Sequence, residues 1–221
     1  MTMLYIVAEG QTEETFIEEL LRPLFADSGV VLMGTIVMGG NVRYGRLKSL
    51  VVKLLKEHPT AFCTTFIDYY GRGGAFPGES GVGKFDPVAE KKRTLEAAFY
   101  ADVAQELAPR FEASRFIPYI QMYEFEGLLF SDPERLAVGL YKPEIVAQLM
   151  AIRALFPTPE DINNDKVSAP SKRILNLFPG YDKPVGGTLA AHRIGIDRIR
   201  ASCPLFDSWV ARLTQLGHSP T

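Results

Sequence analysis

Five acidic residues in this sequence have the type and the spacing to bind a divalent cation. They are Glu9, Glu13, Asp68, Glu124 and Glu126. Most of them stand just beyond a short apolar stretch of the kind that forms a buried strand. Carboxylates that converge repel one another unless a cation neutralises them, and Mg²⁺ and Mn²⁺ prefer hard oxygen ligands. If these strands are neighbours in one sheet, the sequence predicts a Mg²⁺ or Mn²⁺ site, which typically performs phosphoryl chemistry.

Each acid also has an ordinary structural interpretation. Glu13 would complement the dipole at the start of a helix, and Asp68 would begin a turn. Glu9 stands between an apolar strand and a glycine, at the edge where parallel sheets bind ligands. Glu124 and Glu126 are two residues apart and so do not share a helix face. We therefore expect one of this pair to point inward, and we favour Glu124.

The elements that must position these acids alternate along the first half of the chain. Strand-like apolar runs are found at 4–7, 30–37, 61–67 and 115–121. Helical spacing of apolar residues is found between them at 12–25, 47–55 and 95–107. In the first helix we expect Thr12 to be the N-cap and Pro23 to mark a kink or the end. The order β-α-β-α-β-α-β predicts an α/β fold, a mainly parallel four-stranded sheet flanked by helices, with a site at the carboxyl ends of the strands.

Length and composition limit the architecture and the kind of partner. The 221 residues, 47% of them hydrophobic, suffice for one sizeable α/β core. We expect a single domain over 1–221, with the α/β core at 1–123 and a helical extension at 124–221 packed on it. A net charge of −2 gives no global attraction to nucleic acid or to an anionic membrane, so any polyanion site must be local.

The cysteines and the N-terminus bear on the compartment. Cys63 and Cys203 have neither a disulfide pattern nor a zinc pattern and fit a reducing environment. No basic, apolar signal segment and no run long enough for a membrane span precedes the first strand. We therefore expect a cytoplasmic protein with no membrane partner.

The stretch "FPGESGVGKFD" at 76–86 has the glycine and lysine spacing of a phosphate-binding P-loop. A P-loop also needs a strand leading directly into it and a hydroxyl after its lysine, yet Phe85 follows Lys84. The sequence therefore argues against ATP hydrolysis. A glycine-rich flap beside Asp68, from which Lys84 contacts a nucleic-acid phosphate, is the alternative.

Three stretches together carry a resemblance to a known group: "VAEGQTEETFIEELL", "FIDYYG" and "MYEFEGLLFSDPE". They resemble a bacterial family of unknown function with a core related to the Toprim domain. That is the metal-binding fold of primases, type IA and II topoisomerases and the overcoming-lysogenization-defect (OLD) nucleases. The later stretches "APSKRILNLFPGYDKPVGG" and "HRIGIDRIRASCPLFDSWVARL" also look like this family, so the resemblance covers nearly the whole chain.

The resemblance implies roles for individual residues. The Toprim glutamate after the first strand, a metal ligand or general acid/base, matches Glu9. The second glutamate of E-G-x-T-E, which reaches metal in OLD-like nucleases, matches Glu13. The D-x-D motif matches Asp68 to Tyr70, but Tyr70 replaces the second aspartate. A neutral phenol is a poor ligand for Mg²⁺, so a two-metal mechanism would need Glu124 or Glu126 to supply the missing charge.

A lysine beyond the last strand offsets phosphate charge in OLD-like nucleases. Lys183 in "GYDKPVGG" matches it, with Lys172 and Arg173 as other candidates; each is equally compatible with a solvated surface position. Further basic residues either flank a nucleic-acid path or form solvated helix faces. They are Arg43, Arg46, Lys48, Lys91, Lys92 and Arg93. We expect His192 to lie on a helix surface and Trp209 to be packed in the core.

These observations lead to one main hypothesis and one rival. The first is a Toprim-like, Mg²⁺- or Mn²⁺-dependent nuclease or related phosphotransfer enzyme. It would act on DNA or RNA in phage defence or DNA processing, with a separate ATPase as partner; a homodimer is compatible with it. Catalysis would use Glu9, Glu13, Asp68 and Lys183. The rival is a catalytically degenerate Toprim-like subunit that binds nucleic acid or regulates an ATPase.

Overall fold

The computed structural model describes residues 1–40, 42–73, 75–107, 112, 115–163 and 167–218. The strands in these ranges are β1 (Thr2–Ala8), β2 (Val30–Val37), β3 (Val42–Arg43), β4 (Phe62–Asp68), β5 (Arg72–Gly73), β6 (Phe116–Ile117) and β7 (Ile120–Gln121). The helices are α1 (Gln11–Phe16), α2 (Tyr44–Glu57), α3 (Val88–Leu107), α4 (Glu126–Leu129), α5 (Pro133–Gly139), α6 (Val146–Arg153), α7 (Pro170–Leu177), α8 (Thr188–Ile194), α9 (Ile196–Ser202) and α10 (Pro204–Gln215).

The main sheet has the strand order β2-β1-β4-β6, with β7 also paired to β4, and every pair is parallel. The predicted α/β class with a mainly parallel sheet is therefore confirmed. The fourth predicted strand is split into β6 and β7 at Pro118, since proline cannot donate a ladder hydrogen bond. Just beyond the break, the Thr65 hydroxyl accepts from the Tyr119 N–H at 2.9 Å and donates to the Tyr119 carbonyl at 2.8 Å. The described sheet thus has five strands rather than four.

The sheet is buried on both faces, which explains why its strands are apolar without alternation. One face of β1 and β4 carries Leu4, Ile6 and Phe66 into a core shared with α1 and the C-terminal helices. The opposite face carries Val7 and Ile67 into a second core formed with α2 and α3. The C-terminal helices present in the structure therefore cover one side of the sheet.

The first helix differs from the sequence expectation. It begins at Gln11 with Gly10 as its N-cap, and Thr12 is a buried residue of the first turn, so the prediction that Thr12 is the N-cap was wrong. After Phe16 the chain continues through a π-helical turn and then a 3-10 turn that contains Pro23. The regular helix therefore ends before the proline, whose ring and missing N–H are incompatible with a continuing α-helix.

The connection between β4 and α3 does not have P-loop architecture. β4 ends at Asp68, ahead of Gly78, and α3 begins at Val88, beyond Lys84. Gly78 has a φ of 83° and opens only a short 3-10 turn. Phosphate cradling requires a strand, a loop and a helix that follow one another directly, and here they do not. None of the described helices combines the length and the apolar character needed to span a bilayer.

The sequence did not reveal the short parallel pair formed by β3 and β5. β5 follows Asp68 after a tight turn in which the Gly71 N–H donates to the Asp68 carbonyl at 3.1 Å. The Val42 N–H in turn donates to the Gly71 carbonyl at 3.1 Å. These bonds hold the chain that leaves β4 against the start of β3.

Candidate acidic site at the carboxyl edge of the sheet

The carboxyl ends of β1, β4 and β7 place the predicted acids around one cleft. Glu9 directly follows β1, Asp68 ends β4, and Glu124 and Glu126 follow β7. Because the three strands are parallel, their ends meet at the same edge of the sheet. The resulting cleft has a volume of about 330 Å³, and these four acids line it together with Tyr70 and Lys183.

Lys183 links the buried acids of this cleft. Its Nζ lies 3.0 Å from Glu13 Oε1, 3.0 Å from Asp68 Oδ2 and 3.5 Å from Glu126 Oε2. The three acids are 2%, 3% and 1% exposed, whereas the Lys183 side chain is 31% exposed. Lys183 begins a π-helical turn before α8, and the Asp182 carboxylate fixes that turn by accepting from the Val185 N–H at 3.0 Å. The structure therefore brings together all the predicted site residues, including Glu13.

Several carboxylate oxygens in this cluster lack a hydrogen-bond donor among the described residues. Glu13 Oε1, Asp68 Oδ1 and Glu126 Oε2 are buried without one. The Lys183 ammonium is close to the first and the third but not in hydrogen-bonding geometry, so these contacts are ion pairs. A buried acceptor without a donor costs free energy, more so when it is charged. The cluster is thus short of positive charge.

Burial and the crowding of like charges also shift the pKa values of the cluster. Burial raises the pKa of Glu9, Asp68 and Glu126 above the usual carboxyl range, and neighbouring carboxylates raise it further, while Lys183 opposes the shift. Burial on its own would lower the pKa of Lys183. The facing carboxylates, led by Asp68, outweigh burial and hold the pKa above its ordinary value. Lys183 therefore stays protonated at neutral pH.

Glu9 is held against the turn after β4. Its Oε2 accepts from the Asp68 N–H at 3.0 Å. A Cβ on Gly71 would lie 2.0 Å from the same Oε2 and 2.4 Å from the Glu9 Cδ, so only glycine leaves room for this carboxylate. Sequence reasoning missed Gly71, because its role depends on a contact between two separate strand ends.

Glu124 and Glu126 both border the cleft, but the expectation that Glu124 is the inward one was wrong. Glu126 is 1% exposed, and its Oε1 accepts from the Tyr181 hydroxyl at 3.3 Å. Glu124 is half-buried and accepts from the Ser171 N–H, in the first turn of α7, at 2.8 Å. One of the two is buried, as expected, but the argument from a shared helix face does not apply, because α4 begins only at Glu126 and leaves Glu124 outside the helix.

Two of the basic residues proposed for a nucleic-acid path or a solvated face are neither. Lys91 and Lys92 are 5% and 7% exposed. Lys92 pairs with Glu96, donates to the Ile120 carbonyl at 3.2 Å, and lies 3.7 Å from the centre of the Tyr119 ring. Lys92 is therefore buried where α3 packs on the sheet edge, whereas Lys91 donates to the Lys84 carbonyl in the loop before α3.

The remaining basic candidates differ in how they are bound. Lys48 pairs with two acids of α3, each at 3.0 Å, and Arg46 donates to the Met38 carbonyl at 3.0 Å. Arg46 is exposed, as are Arg43, Arg93 and Lys172. His192 is exposed on α8 and contacts Glu19, and Trp209 is 4% exposed and stacked on Tyr119, both as predicted.

The chemistry of the cleft fits a hard cation, although its geometry is that of an ion-paired cluster. Among the described residues, no three His, Cys, Asp or Glu side chains are arranged to hold a metal ion as they stand. The ammonium of Lys183 lies between Glu13, Asp68 and Glu126 instead. Carboxylate oxygens suit Mg²⁺ or Mn²⁺, and the observation that favours a cation there is that several buried carboxylates share one ammonium while Asp68 Oδ1 has no donor among the described residues. A larger cavity of about 490 Å³ lies between α3 and α10 and is mainly apolar.

Fold and site together define an α/β protein with an acidic cleft at the carboxyl edge of a parallel sheet. The chain belongs to the family described as a domain of unknown function, DUF4276, whose model matches residues 8–214.

Two solved structures are similar to the chain, both of the C-terminal region of the OLD protein of Xanthomonas campestris pv. campestris, phased with iodine and with platinum. They are 14% and 15% identical and cover 98% and 99% of this chain and 98% of their own, each with a TM-score of 0.39. Similarity at this level does not establish a shared activity. No curated protein matches the sequence.

Proposed function

We propose that the chain is a Toprim-related, Mg²⁺- or Mn²⁺-dependent phosphodiester hydrolase that acts on nucleic acid. The observation that carries the proposal is the acidic cleft, in which Glu13, Asp68 and Glu126 are buried around the single ammonium of Lys183 and Asp68 Oδ1 has no donor among the described residues. Burying several carboxylates together is unfavourable, and the perturbed pKa values that result are typical of functional sites. The sheet topology supports the same location for a ligand.

Glu9 and Asp68 would hold the ion, with Glu13, Glu126 and Glu124 completing the set. A bound Mg²⁺ or Mn²⁺ would polarise a phosphate and activate water. Glu126 would supply the charge that Tyr70 cannot, since its carboxylate is in ion-pair distance of the same ammonium as Asp68.

The chain's own residues would orient the acids and neutralise charge on the phosphate. The Asp68 N–H fixes one oxygen of Glu9, the Tyr181 hydroxyl fixes one of Glu126, and the Ser171 N–H fixes one of Glu124. Lys183 stays charged and is the only described side chain with a cation in ion-pair contact with the cluster. Its partly exposed ammonium would offset negative charge that develops on the phosphate.

The test measures metal binding and cleavage on matched variants. Calorimetry with Mn²⁺ and a cleavage assay on DNA and RNA are run on the wild-type chain, Glu9→Gln and Glu19→Gln. Glu19 is an exposed partner of His192 outside the cleft. We expect Glu9→Gln to lose Mn²⁺ binding and cleavage, and Glu19→Gln to keep both. Equal cleavage by the wild type and Glu9→Gln would refute the proposal.

A regulatory or nucleic-acid-binding subunit without catalysis is the second candidate. The observation in its favour is that the Lys183 ammonium neutralises part of the cluster, while Tyr70 replaces an expected acid. Failure to bind Mn²⁺ at millimolar concentration, with nucleic-acid binding intact, would favour this candidate. An ATPase partner and a role in phage defence or DNA processing are proposals supported by the motif resemblance alone.

A further inference from the structure

Three tyrosines form an aromatic cluster at the edge of the acidic cleft. The ring centroids of Tyr69 and Tyr70 are 5.4 Å apart, and Tyr123 lies 5.7 Å from each of them. Tyr70 lines the cleft beside Asp68. Tyr69 and Tyr70 are half-buried, whereas Tyr123 is only 8% exposed and lies beneath them. We call these three residues the tyrosine platform.

The backbone fixes the platform in place. The Tyr70 N–H donates to the Tyr123 carbonyl at 3.0 Å, and the Tyr69 N–H donates to the Gln121 carbonyl at 2.8 Å. Tyr123 has a φ of 64°, which is costly for a bulky residue and persists only where the surroundings enforce it. The Tyr70 hydroxyl is also bonded to the side-chain amide of Asn163. The rings are therefore held in one arrangement before any ligand binds.

Two exposed cations lie close in the fold to this platform. Arg43 on β3 is paired in register with Gly73, which follows the Tyr69–Tyr70 turn. Lys172 follows Ser171, a residue that lines the cleft. Neither side chain forms an ion pair with a described residue, so both are available to a polyanion.

We propose that the tyrosine platform stacks an unpaired base of the substrate, so that the cleft acts on single-stranded nucleic acid or on a single-stranded end. This inference rests on the proposed hydrolase function. Aromatic side chains stack bases of any sequence, but only where the base is free of its partner and its neighbours. Arg43 and Lys172 would contact the flanking phosphates, while Asp68 and its neighbours act on the phosphodiester bond next to the stacked base.

The experiment compares a short fluorescent single strand with the same strand in a blunt duplex. Binding is measured by anisotropy with Ca²⁺, and cleavage with Mn²⁺, for the wild type, Tyr70→Leu, Tyr70→Phe and Tyr69→Leu. Tyr70→Phe keeps the ring and loses only the hydroxyl bond. Tyr141→Leu, a 74% exposed tyrosine beyond α5, is the control. Circular dichroism checks that each variant is folded.

We expect the single strand to bind more tightly than the duplex. Tyr70→Leu and Tyr69→Leu should weaken binding of the single strand by roughly 5- to 100-fold, the loss expected for one stacked base. Tyr141→Leu should bind as the wild type does, and Tyr70→Phe, which keeps the stacking ring and loses only the bond to Asn163, should lose much less affinity than Tyr70→Leu. The platform would be refuted if the wild type cleaves but binds the single strand and the duplex equally well, and if the folded leucine variants bind as the wild type does. That result would leave the proposed hydrolase function in place. A wild type that neither binds nor cleaves any nucleic acid would refute both.

Discussion

Gly71→Ala should damage the acidic site while leaving the fold almost intact. The added Cβ would stand 2.0 Å and 2.3 Å from the two carboxylate oxygens of Glu9. Real contacts of a Cβ are almost never shorter than 3.0 Å, so the carboxylate must move by about 1 Å or more. The hydrogen bond from the Asp68 N–H, now 3.0 Å, would be lost.

The size of the effect follows from which atoms must move. The Glu9 carboxylate is the mobile end of a half-buried side chain, so water replaces much of the lost bond, and the cost is about 1 kcal/mol. Replacing glycine by alanine also lowers the conformational entropy of the unfolded chain, which stabilises the native state by about 0.4–1 kcal/mol. The free energy of unfolding should therefore change by less than about 1 kcal/mol. A misplaced metal ligand should, in contrast, weaken Mn²⁺ binding by roughly 10- to 100-fold.

Urea unfolding and Mn²⁺ calorimetry on the same samples test both parts. Gly45→Ala is the matched control, because a Cβ at Gly45, in the first turn of α2, meets no atom within 4 Å. It should bind Mn²⁺ as the wild type does. Wild-type Mn²⁺ affinity in Gly71→Ala would show that the Glu9 carboxylate is not a ligand. A loss of more than about 3 kcal/mol in unfolding free energy would show that the backbone, not the carboxylate, gives way.

Two further predictions concern Lys183 and Glu160. Lys183→Met removes the ammonium that competes with Mn²⁺ for the acids. The variant should therefore bind Mn²⁺ more tightly in calorimetry yet cleave nucleic acid more slowly. Weaker Mn²⁺ binding would show that the two cations do not compete. Burial raises the pKa of Glu160 to about 7, although its carboxylate accepts from the Leu205 and Phe206 N–H groups. Because its ordinary pKa is 4.5, the native state holds the extra proton between pH 4.5 and 7, and the unfolding free energy should fall by at most roughly 3 kcal/mol as pH rises through that window. Glu160→Gln should remove this part of the slope in urea unfolding, and equal slopes in both proteins would contradict it.

The sheet and its acidic edge could be predicted because their signals are local. Strands buried on both faces are apolar throughout, and the acids come directly after them, so Glu9 and Asp68 could be placed at one edge from order alone. Pro118 indicates the break between β6 and β7, because proline cannot donate a ladder hydrogen bond. That break nevertheless leaves the order of the strands unchanged.

The details of the site could not be predicted because they depend on contacts between distant segments. Lys183 meets Asp68 across 115 residues, and only the motif resemblance singled it out. The choice between Glu124 and Glu126 depends on their partners, the Ser171 N–H and the Tyr181 hydroxyl, which come from segments distant in the sequence. The burial of Lys92 depends on where α3 packs against Tyr119.

The position of Lys183 determines how the site can exchange one cation for another. The acids of β1 and β4 are fixed by the sheet, and the turn that bears Lys183 is also tightly packed, since a Cβ on Gly186 or Gly187 would lie 3.1 Å from Tyr181. Neither backbone can give way without disturbing the core. The Lys183 side chain, by contrast, has four rotatable methylene groups and is 31% exposed. Under the proposed function, a cation that binds the acids would therefore displace the ammonium by rotation of the Lys183 side chain, and not by movement of either backbone.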